Sequence, residues 1–509
     1  MLQAHPDEKS TARSRNEHAP FDVVVIGGGI NGVGIANDAA GRGLSVLLCE
    51  QHDLAAHTSS ASSKLIHGGL RYLEHFEFRL VHEALGEREV LLRKAPHIIW
   101  PLRFVLPHQS HLRPRWMLRA GLFLYDHLGA RTTLPGSTSL RLDTQGPLQP
   151  RFTHAFEYSD CWADDARLVA LNAVQARSLG AEIRTRTRCV SAKREAGLWN
   201  LELETVHGDR EWVQGRALVN ASGPWAAQVI EQVVSARSPH AIRLVQGSHI
   251  VVPQLYRGSQ AYILQNEDQR IVFVIPYEHQ FSLVGTTDLD YRGDPAESSP
   301  TAGEERYLLD VVNAHFRRQL GAQDIHHRYA GVRPLLDDED DNPSAVTRDY
   351  TLTVDAPDDG PPLLSVFGGK LTTYRRLAEA ALEKLEPWLA AGPAWTAAHA
   401  LPGGDFETQE TLAAELASRF PWLSPEQTTR YVRSYGTLSR MFLHGAGSAQ
   451  DLGEDFGGGL TEREVEYLCE REWAIEAEDI LWRRSKLGLH LSTAQQQRLK
   501  EYLQARQAR

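Results

Sequence analysis

An α/β chain with an added antiparallel sheet and a helical C-terminal domain is what this sequence predicts, on three observations. Residues 23–51, VVVIGGGINGVGIANDAAGRGLSVLLCEQ, read as an apolar strand, a glycine turn, an Ala-rich helix and a second apolar strand closed by Glu50. Residues 261–288, AYILQNEDQRIVFVIPYEHQFSLVGTTD, alternate short apolar runs with polar turns, the pattern of an antiparallel sheet. Beyond residue 391 the chain is charged, helical in period and poor in strands.

The 509 residues exceed the roughly 250–300 at which a single core stops growing, so several domains are expected. Residues 1–20 lack an apolar signal core and read as a disordered tail. Residues 21–390 hold the two-sheet region: a nucleotide-type domain mainly from 21–72, 160–240 and 350–390, and a substrate or cap domain mainly from 73–159 and 241–349. Residues 391–509 form the helical domain. Within this frame, apolar Leu80, Val81, Ala84 and Leu85 recur at helical spacing and predict a helix over 78–94. ARLVALNAVQARSLG (166–180) predicts another helix, AEIRTRTRCV (181–190) a strand, and ALVNASGPWA (217–226) a strand ending at a glycine turn. PLLSVFGGKLTTYRRLAEAALEKL (362–385) returns to strand, glycine turn and helix.

Composition narrows the function. A net charge of -11 offers no general basic surface for a phosphate backbone, so nucleic acid is not an expected partner. Cys49, Cys161, Cys189 and Cys469 show no CxxC spacing, so neither disulfides nor a metal site are expected, and a reducing, cytosolic compartment fits best. No apolar run approaches the roughly 20 residues needed to cross a bilayer as a helix, leaving a soluble or membrane-surface protein.

Gly27, Gly29 and Gly32 form GxGxxG between a strand and a helix, the context a dinucleotide fingerprint requires. Gly27 permits the tight turn, Gly29 lets backbone amides approach a pyrophosphate, and Gly32 lets helix pack closely on strand. Gly28 and Asn31 belong to the same turn. The helix N-terminus offers open N–H groups and the positive end of a dipole. Glu50, 18 residues after Gly32, is placed to accept from an adenosine ribose and disfavours a 2′-phosphate. The fingerprint alone leaves NAD and FAD both open.

The runs TSSASSKLIHGGLRYLEH (58–75), YSDCWADDARL, LVNASGPWA, QGSHIVVP, IVFVIPY, VGTTDLDYRGDP, AGVRPLL and SVFGGKLTTYRRLAE occur in one order from Phe21 onward. In this the chain resembles the FAD-dependent glycerol-3-phosphate dehydrogenases, most closely the aerobic bacterial branch. The resemblance implies a Rossmann-like FAD domain and FAD as cofactor. It puts Thr58, Ser59, Ser60, Ser62, Ser63 and Lys64 beside the flavin, Ala221, Ser222 and Gly223 on the adenine side, and Gly368 and Gly369 near the isoalloxazine ring.

The implied substrate, sn-glycerol 3-phosphate, is an anion that calls for cations and directed donors. Arg71, Arg333 and Lys370 lie in the matching runs and form the expected phosphate clamp, with the Tyr72 hydroxyl beside them. Histidine suits the base that takes the C2 hydroxyl proton. His249 and His67 are the candidates, His249 ahead, and Arg333 and Lys370 complete the catalytic set. Which histidine serves stays open. The resemblance also implies ubiquinone as acceptor and a place on the cytoplasmic face of a bacterial inner membrane. An oxygen-dependent glycerophosphate oxidase, an amino-acid or amine oxidase, and an interaction protein with a purely structural FAD are the alternatives. HQSHLRPRWMLRAGLFLYDHLGAR (108–131) combines Arg113, Arg115 and Arg119 with an apolar run containing Trp116, which suits an interfacial helix or equally a buried one. Trp473, Ile480, Leu481 and Leu487 form an amphipathic face in the tail, expected to pack on the protein's own core, with a homodimer as the other possibility.

Overall fold

The computed structural model describes residues 19–70, 73, 77–109, 114–129, 133–268, 270–336 and 349–508. Arg71, Tyr72, Arg113 and the tail up to residue 18 lie outside them.

The first sheet has eight strands, and six run in the order Thr351–Asp355, Leu363–Phe367, Arg210–Asn220, Phe21–Ile26, Val46–Cys49, Glu182–Arg184. Phe21–Ile26 pairs in parallel with Arg210–Asn220 on one side and Val46–Cys49 on the other. A parallel strand covered on both faces should be apolar, and Phe21 and Val23 to Ile26 are buried, the exception being Asp22 near its start, which is partly exposed and accepts from Ser45 N and Oγ at 2.8 Å. Val23 and Val25 pack beneath the helices Ile30–Gly41, Asp165–Ser178 and Tyr374–Leu385. Phe21, Val24 and Ile26 face the opposite layer with Trp199 and Leu201. The strand expected over 181–190 is two strands, Glu182–Arg184 and Thr187–Glu195, because Arg186 takes φ +53° and turns the chain between them.

The second sheet has ten strands built around Ile242–Pro253, Phe281–Gly285, Ile271–Tyr277 and Ala261–Gln265. It is antiparallel as expected except where Ala261–Gln265 runs parallel to Ile99–Pro107. Leu65–Ile66 pairs with Trp162 and Cys161 at the end of His154–Ala163, a strand of this sheet that pairs along its length with Ile99–Pro107, although residues 65–66 and 160–163 fall in segments that the sequence assigns to the nucleotide domain. Apolar alternation marks a strand but not the sheet it joins. The polar 58–64 loop thereby runs directly into a strand of the second sheet. His249 lies opposite Gly285 on one neighbour and Tyr329 on the other, and Val245 lies opposite Arg333.

The C-terminal helices Gln409–Arg419, Pro425–Tyr435, Glu462–Glu472 and Thr493–Gln507 enclose their own core with Leu416, Tyr431, Leu468, Ile480, Leu481 and Leu487. Trp473 packs against the core of the first sheet. The amphipathic tail face is therefore interior. Ion pairs join this domain to the rest: Arg167 with Glu472 at 2.9 Å and Arg484 with Asp53 at 2.8 Å, both buried, and Lys486 with the partly buried Asp164 at 2.8 Å. Among the described residues no helix is long and apolar enough to cross a membrane, and no cluster of His, Cys, Asp and Glu could hold a metal. All four cysteines are free thiols.

Candidate functional site

Both sheets contribute to one cavity of about 1170 Å³. Small-molecule pockets usually measure roughly 300–1,000 Å³, so this one has room for an elongated cofactor and a second ligand. At its nucleotide end the glycine turn is as tight as backbone allows. Gly27 adopts φ +113°, and a Cβ on it would lie 2.6 Å from the Ala221 carbonyl oxygen. A Cβ on Gly32 would lie 1.9 Å from the Gly27 carbonyl oxygen. Gly29 caps the helix without a side-chain bond, and the next amide, Ile30 N, donates to Ser59 Oγ at 3.0 Å. Glu50 accepts from Gly28 N at 2.7 Å and from His52 N at 2.8 Å. Burial pushes its carboxyl above the usual range, against the pull of those two N–H groups.

Ala221, Ser222 and Gly223 line the same end. Sequence reading missed their neighbours His57 and Trp225, which meet edge-on with ring centres 4.9 Å apart in the cavity wall. The signal for Trp225 was its place in LVNASGPWA, where only the small residues drew notice.

The polar loop divides in two. Thr58, Ser59, Ser62 and Ser63 line the cavity, and Thr58 Oγ1 donates to the Val332 carbonyl at 2.7 Å, tying the loop to the second sheet. Ser60 and Lys64 do not reach the wall. The Lys64 ammonium is buried against Asp165 at 2.8 Å and the Ser60 carbonyl at 3.0 Å. Its role here is to brace the loop, because an ammonium this deep needs a carboxylate beside it.

Elsewhere in the wall, Gly368 and Gly369 take φ +76° and +100° and bring backbone to the cavity. Asn31 Nδ2 donates to the Gly368 carbonyl at 3.2 Å, so the two glycine turns are bonded to each other. Asn31 Oδ1 is buried without a hydrogen-bond partner among the described residues, an unmet acceptor in the cavity wall. Arg333, Lys370, His249 and His67 line this same cavity. The sequence reading thus brings four of its six substrate and catalytic candidates to one place, Arg71 and Tyr72 being outside the described residues.

Arg333 pairs with Asp288 and donates to Thr286 Oγ1 at 3.2 Å and the Thr287 carbonyl at 3.1 Å. Its guanidinium lies over Gly247, where a Cβ would come within 2.1 Å of Nη2. The cation is thus held in place by the protein's own groups. Nothing in the linear sequence marks Asp288, Thr286 and Gly247, whose part is to hold or make room for a cation distant in the chain.

His249 is 2% exposed and stacks on Tyr329, with ring centres 4.8 Å apart and planes 16° apart. Its Nε2 shares a 2.9 Å hydrogen bond with Ser63 Oγ, and Nδ1 has no hydrogen-bond partner among the described residues. Burial above all, with the positive charges of Lys64 and Arg333, holds its pKa well below the usual imidazole value. The ring is therefore neutral at neutral pH. His67 is tied to the turn just after Lys370 by its backbone N–H, which donates to Thr372 Oγ1 at 3.4 Å.

The apolar part of the cavity lies under the helix Arg115–Leu128, which turns Met117, Leu118 and Leu124 to the wall. Trp116 and Phe123 point outward, 71% and 60% exposed. Tyr125, on the buried side, donates to Asp160 at 2.8 Å and accepts from Gly68 N at 2.8 Å, anchoring the helix to backbone next to His67.

A family model described as FAD dependent oxidoreductase matches residues 22–375. The chain belongs to that family. A second model, the C-terminal domain of alpha-glycerophosphate oxidase, matches residues 394–506 of this oxidoreductase. The oxidoreductase is 64% identical over 507 residues to a glycerol-3-phosphate dehydrogenase of Pseudomonas aeruginosa, covering 99% of this chain and 98% of the relative. It is 57% identical to the aerobic glycerol-3-phosphate dehydrogenase of Escherichia coli, with 95% and 97% covered, and 51% identical to a D-erythritol 1-phosphate dehydrogenase of Brucella abortus, with 93% and 96% covered. Among solved structures, glycerol-3-phosphate dehydrogenase from Bacillus halodurans complexed with FAD superposes with a TM-score of 0.72 at 25% identity, covering 96% of this chain and 94% of that one. The cofactor is FAD, and the residues present suit it: a backbone cradle at Gly27–Asn31, the Glu50 acceptor, and an open acceptor on Asn31 between the two glycine turns. Bound FAD supplies a two-electron acceptor.

Proposed function

We propose that this enzyme oxidises sn-glycerol 3-phosphate to dihydroxyacetone phosphate, with the hydride from C2 passing to FAD and the electrons then to a membrane quinone. The observation that carries the reading is that one cavity holds the dinucleotide cradle, a neutral buried His249, and the cations Arg333 and Lys370. In this reading Arg333 and Lys370 hold the phosphate, His249 takes the C2 hydroxyl proton, and the apolar wall excludes water. The full-length relatives at 64% and 57% identity support the substrate, and the erythritol phosphate relative names its nearest competitor.

Anaerobic mixing of the holoenzyme with glycerol 3-phosphate, D-erythritol 1-phosphate or glycine tests it. Rapid bleaching by the first is expected; bleaching by only the second or third would reassign the substrate. Peroxide yield measured against reduction of a soluble quinone separates a dehydrogenase from an oxidase, and a stoichiometric peroxide yield at undiminished turnover would rule out the quinone. The outward Trp116 and Phe123 beside Arg115 and Arg119 support a seat on the anionic, cytoplasmic face of the inner membrane. Replacing Trp116 and Phe123 together by aspartate should remove most co-sedimentation with anionic vesicles while leaving FAD content unchanged. Undiminished sedimentation would place the membrane contact elsewhere.

A further inference from the structure

We infer that Glu304, which lies outside the cavity, is a positioning residue that holds Arg333 and His249 in register with one another. The inference rests on the proposed substrate, whose phosphate Arg333 would meet.

Glu304 opens the helix Ala302–His315 and completes a capping box with Thr301. A capping box alone would account for its contacts to Thr301 N and Oγ1, both 2.9 Å. Three more donors converge on the same carboxylate from the second sheet. Ser248 Oγ and Thr287 Oγ1 each donate to Oε1 at 2.7 Å, and Gln246 Nε2 donates to Oε2 at 2.9 Å. Gln246, Ser248, Thr287 and Glu304 are all buried. Burial pushes the carboxyl up, but the Thr301 N–H and the hydroxyls of Thr287, Ser248 and Thr301 outweigh it, so it sits below the usual range and is ionised.

Strand alternation converts this rear contact into control of the front. Side chains 246 and 248 go to Glu304, so 247 and 249 turn the other way, and Gly247 and His249 line the cavity. Thr287 does the same for its loop: its side chain is held from behind, while Thr286, Asp288 and its own carbonyl hold Arg333. Thr287 Oγ1 also accepts from Ser248 N at 2.9 Å, locking loop to strand. One carboxylate thus sets the distance between the group that would take the proton and the group that would hold the phosphate. A carboxylate is needed because it only accepts, and every neighbour here donates.

The test uses holoenzyme variants Glu304→Gln, Thr287→Val and Thr287→Ser. Glutamine puts an NH₂ against converging donors, valine deletes the Thr287 hydroxyl, and serine keeps it. Stopped-flow reduction by glycerol 3-phosphate should give a half-saturation concentration raised about tenfold or more in E304Q and T287V, the loss of roughly one charge-assisted hydrogen bond as a displaced Arg333 meets the phosphate out of register. T287S should stay within about twofold of the unaltered enzyme. FAD content should be unchanged throughout. Calorimetric titration of the oxidised holoenzyme with inorganic phosphate should show the same order of weakening.

Normal half-saturation and normal phosphate affinity in E304Q and T287V would overturn the inference, as would a loss confined to melting temperature. Should E304Q fail to fold, the valine and serine pair decides. Failure of the substrate reading would show instead as an unaltered enzyme whose flavin glycerol 3-phosphate does not bleach, and the phosphate titrations would still read the role of Glu304.

Discussion

Asparagine in place of His249 should slow reduction of the bound flavin by glycerol 3-phosphate by about 10²–10⁴-fold, the usual contribution of a positioned general base, with FAD content close to that of the unaltered protein. The side chain is buried, stacked on Tyr329 and bonded through Nε2 to Ser63, so its position does not depend on substrate. An asparagine amide keeps a polar group near the site but has no proton affinity at neutral pH. The pH profile gives a second signature. Protonation disables a base, and burial together with Lys64 and Arg333 moves that protonation well to the acid side of the ordinary imidazole value. The limiting rate of flavin reduction should therefore hold as pH falls from 8 through 6.5. A free imidazole with a pKa of about 6.5 would lose rate roughly tenfold per pH unit below that point. Single-turnover stopped flow measures both, and an unchanged rate in H249N would pass the role to His67.

Alanine at Gly32 should yield a protein that purifies without most of its FAD. The added Cβ would sit 1.9 Å from the Gly27 carbonyl oxygen, and neither side of that contact can yield cheaply. Gly27 is itself held against Ala221 backbone, and the Phe21–Ile26 strand behind it is paired on both sides. The helix must therefore rise off the strand, which moves the amides of Gly29 to Asn31 away from where a pyrophosphate would lie. The ratio of flavin to protein absorbance after purification reads the effect directly. A full complement of FAD in G32A would mean that the turn relaxes more easily than its paired strands suggest.

The order of strand, glycine turn and helix at 21–50, the helix over 78–94 and the 362–385 unit were legible because each carries an unbroken periodicity and its own punctuation. Sheet membership was not. Leu65 and Ile66 look alike whether they extend the first sheet or pair with Trp162 and Cys161, and only long-range pairing decides. The same limit divides the site residues. Arg333, Lys370 and His249 stood out by chemistry in short motifs and share the cavity. Lys64 stood out equally and turns into the protein, because its partner Asp165 is 101 residues away in sequence. Asp288 and Glu304 act by holding other groups, and nothing in a linear reading distinguishes a carboxylate that braces from one that faces water.

The buried charges joining the helical domain to the first sheet bear on how such a chain can be divided. Asp53, three residues past Glu50, is gripped by Arg483 and Arg484, while Arg167 relies on Glu472 and Asp164 on Lys486. Exchanging one half for another with different charges at this contact would leave ions of both signs buried without their counter-charges, a penalty that local repacking would not relieve. The modularity of the two halves is thus one of topology only: recombination or fragment exchange at that junction has to carry matched counter-charges across, or the segment just past Glu50 loses its anchor.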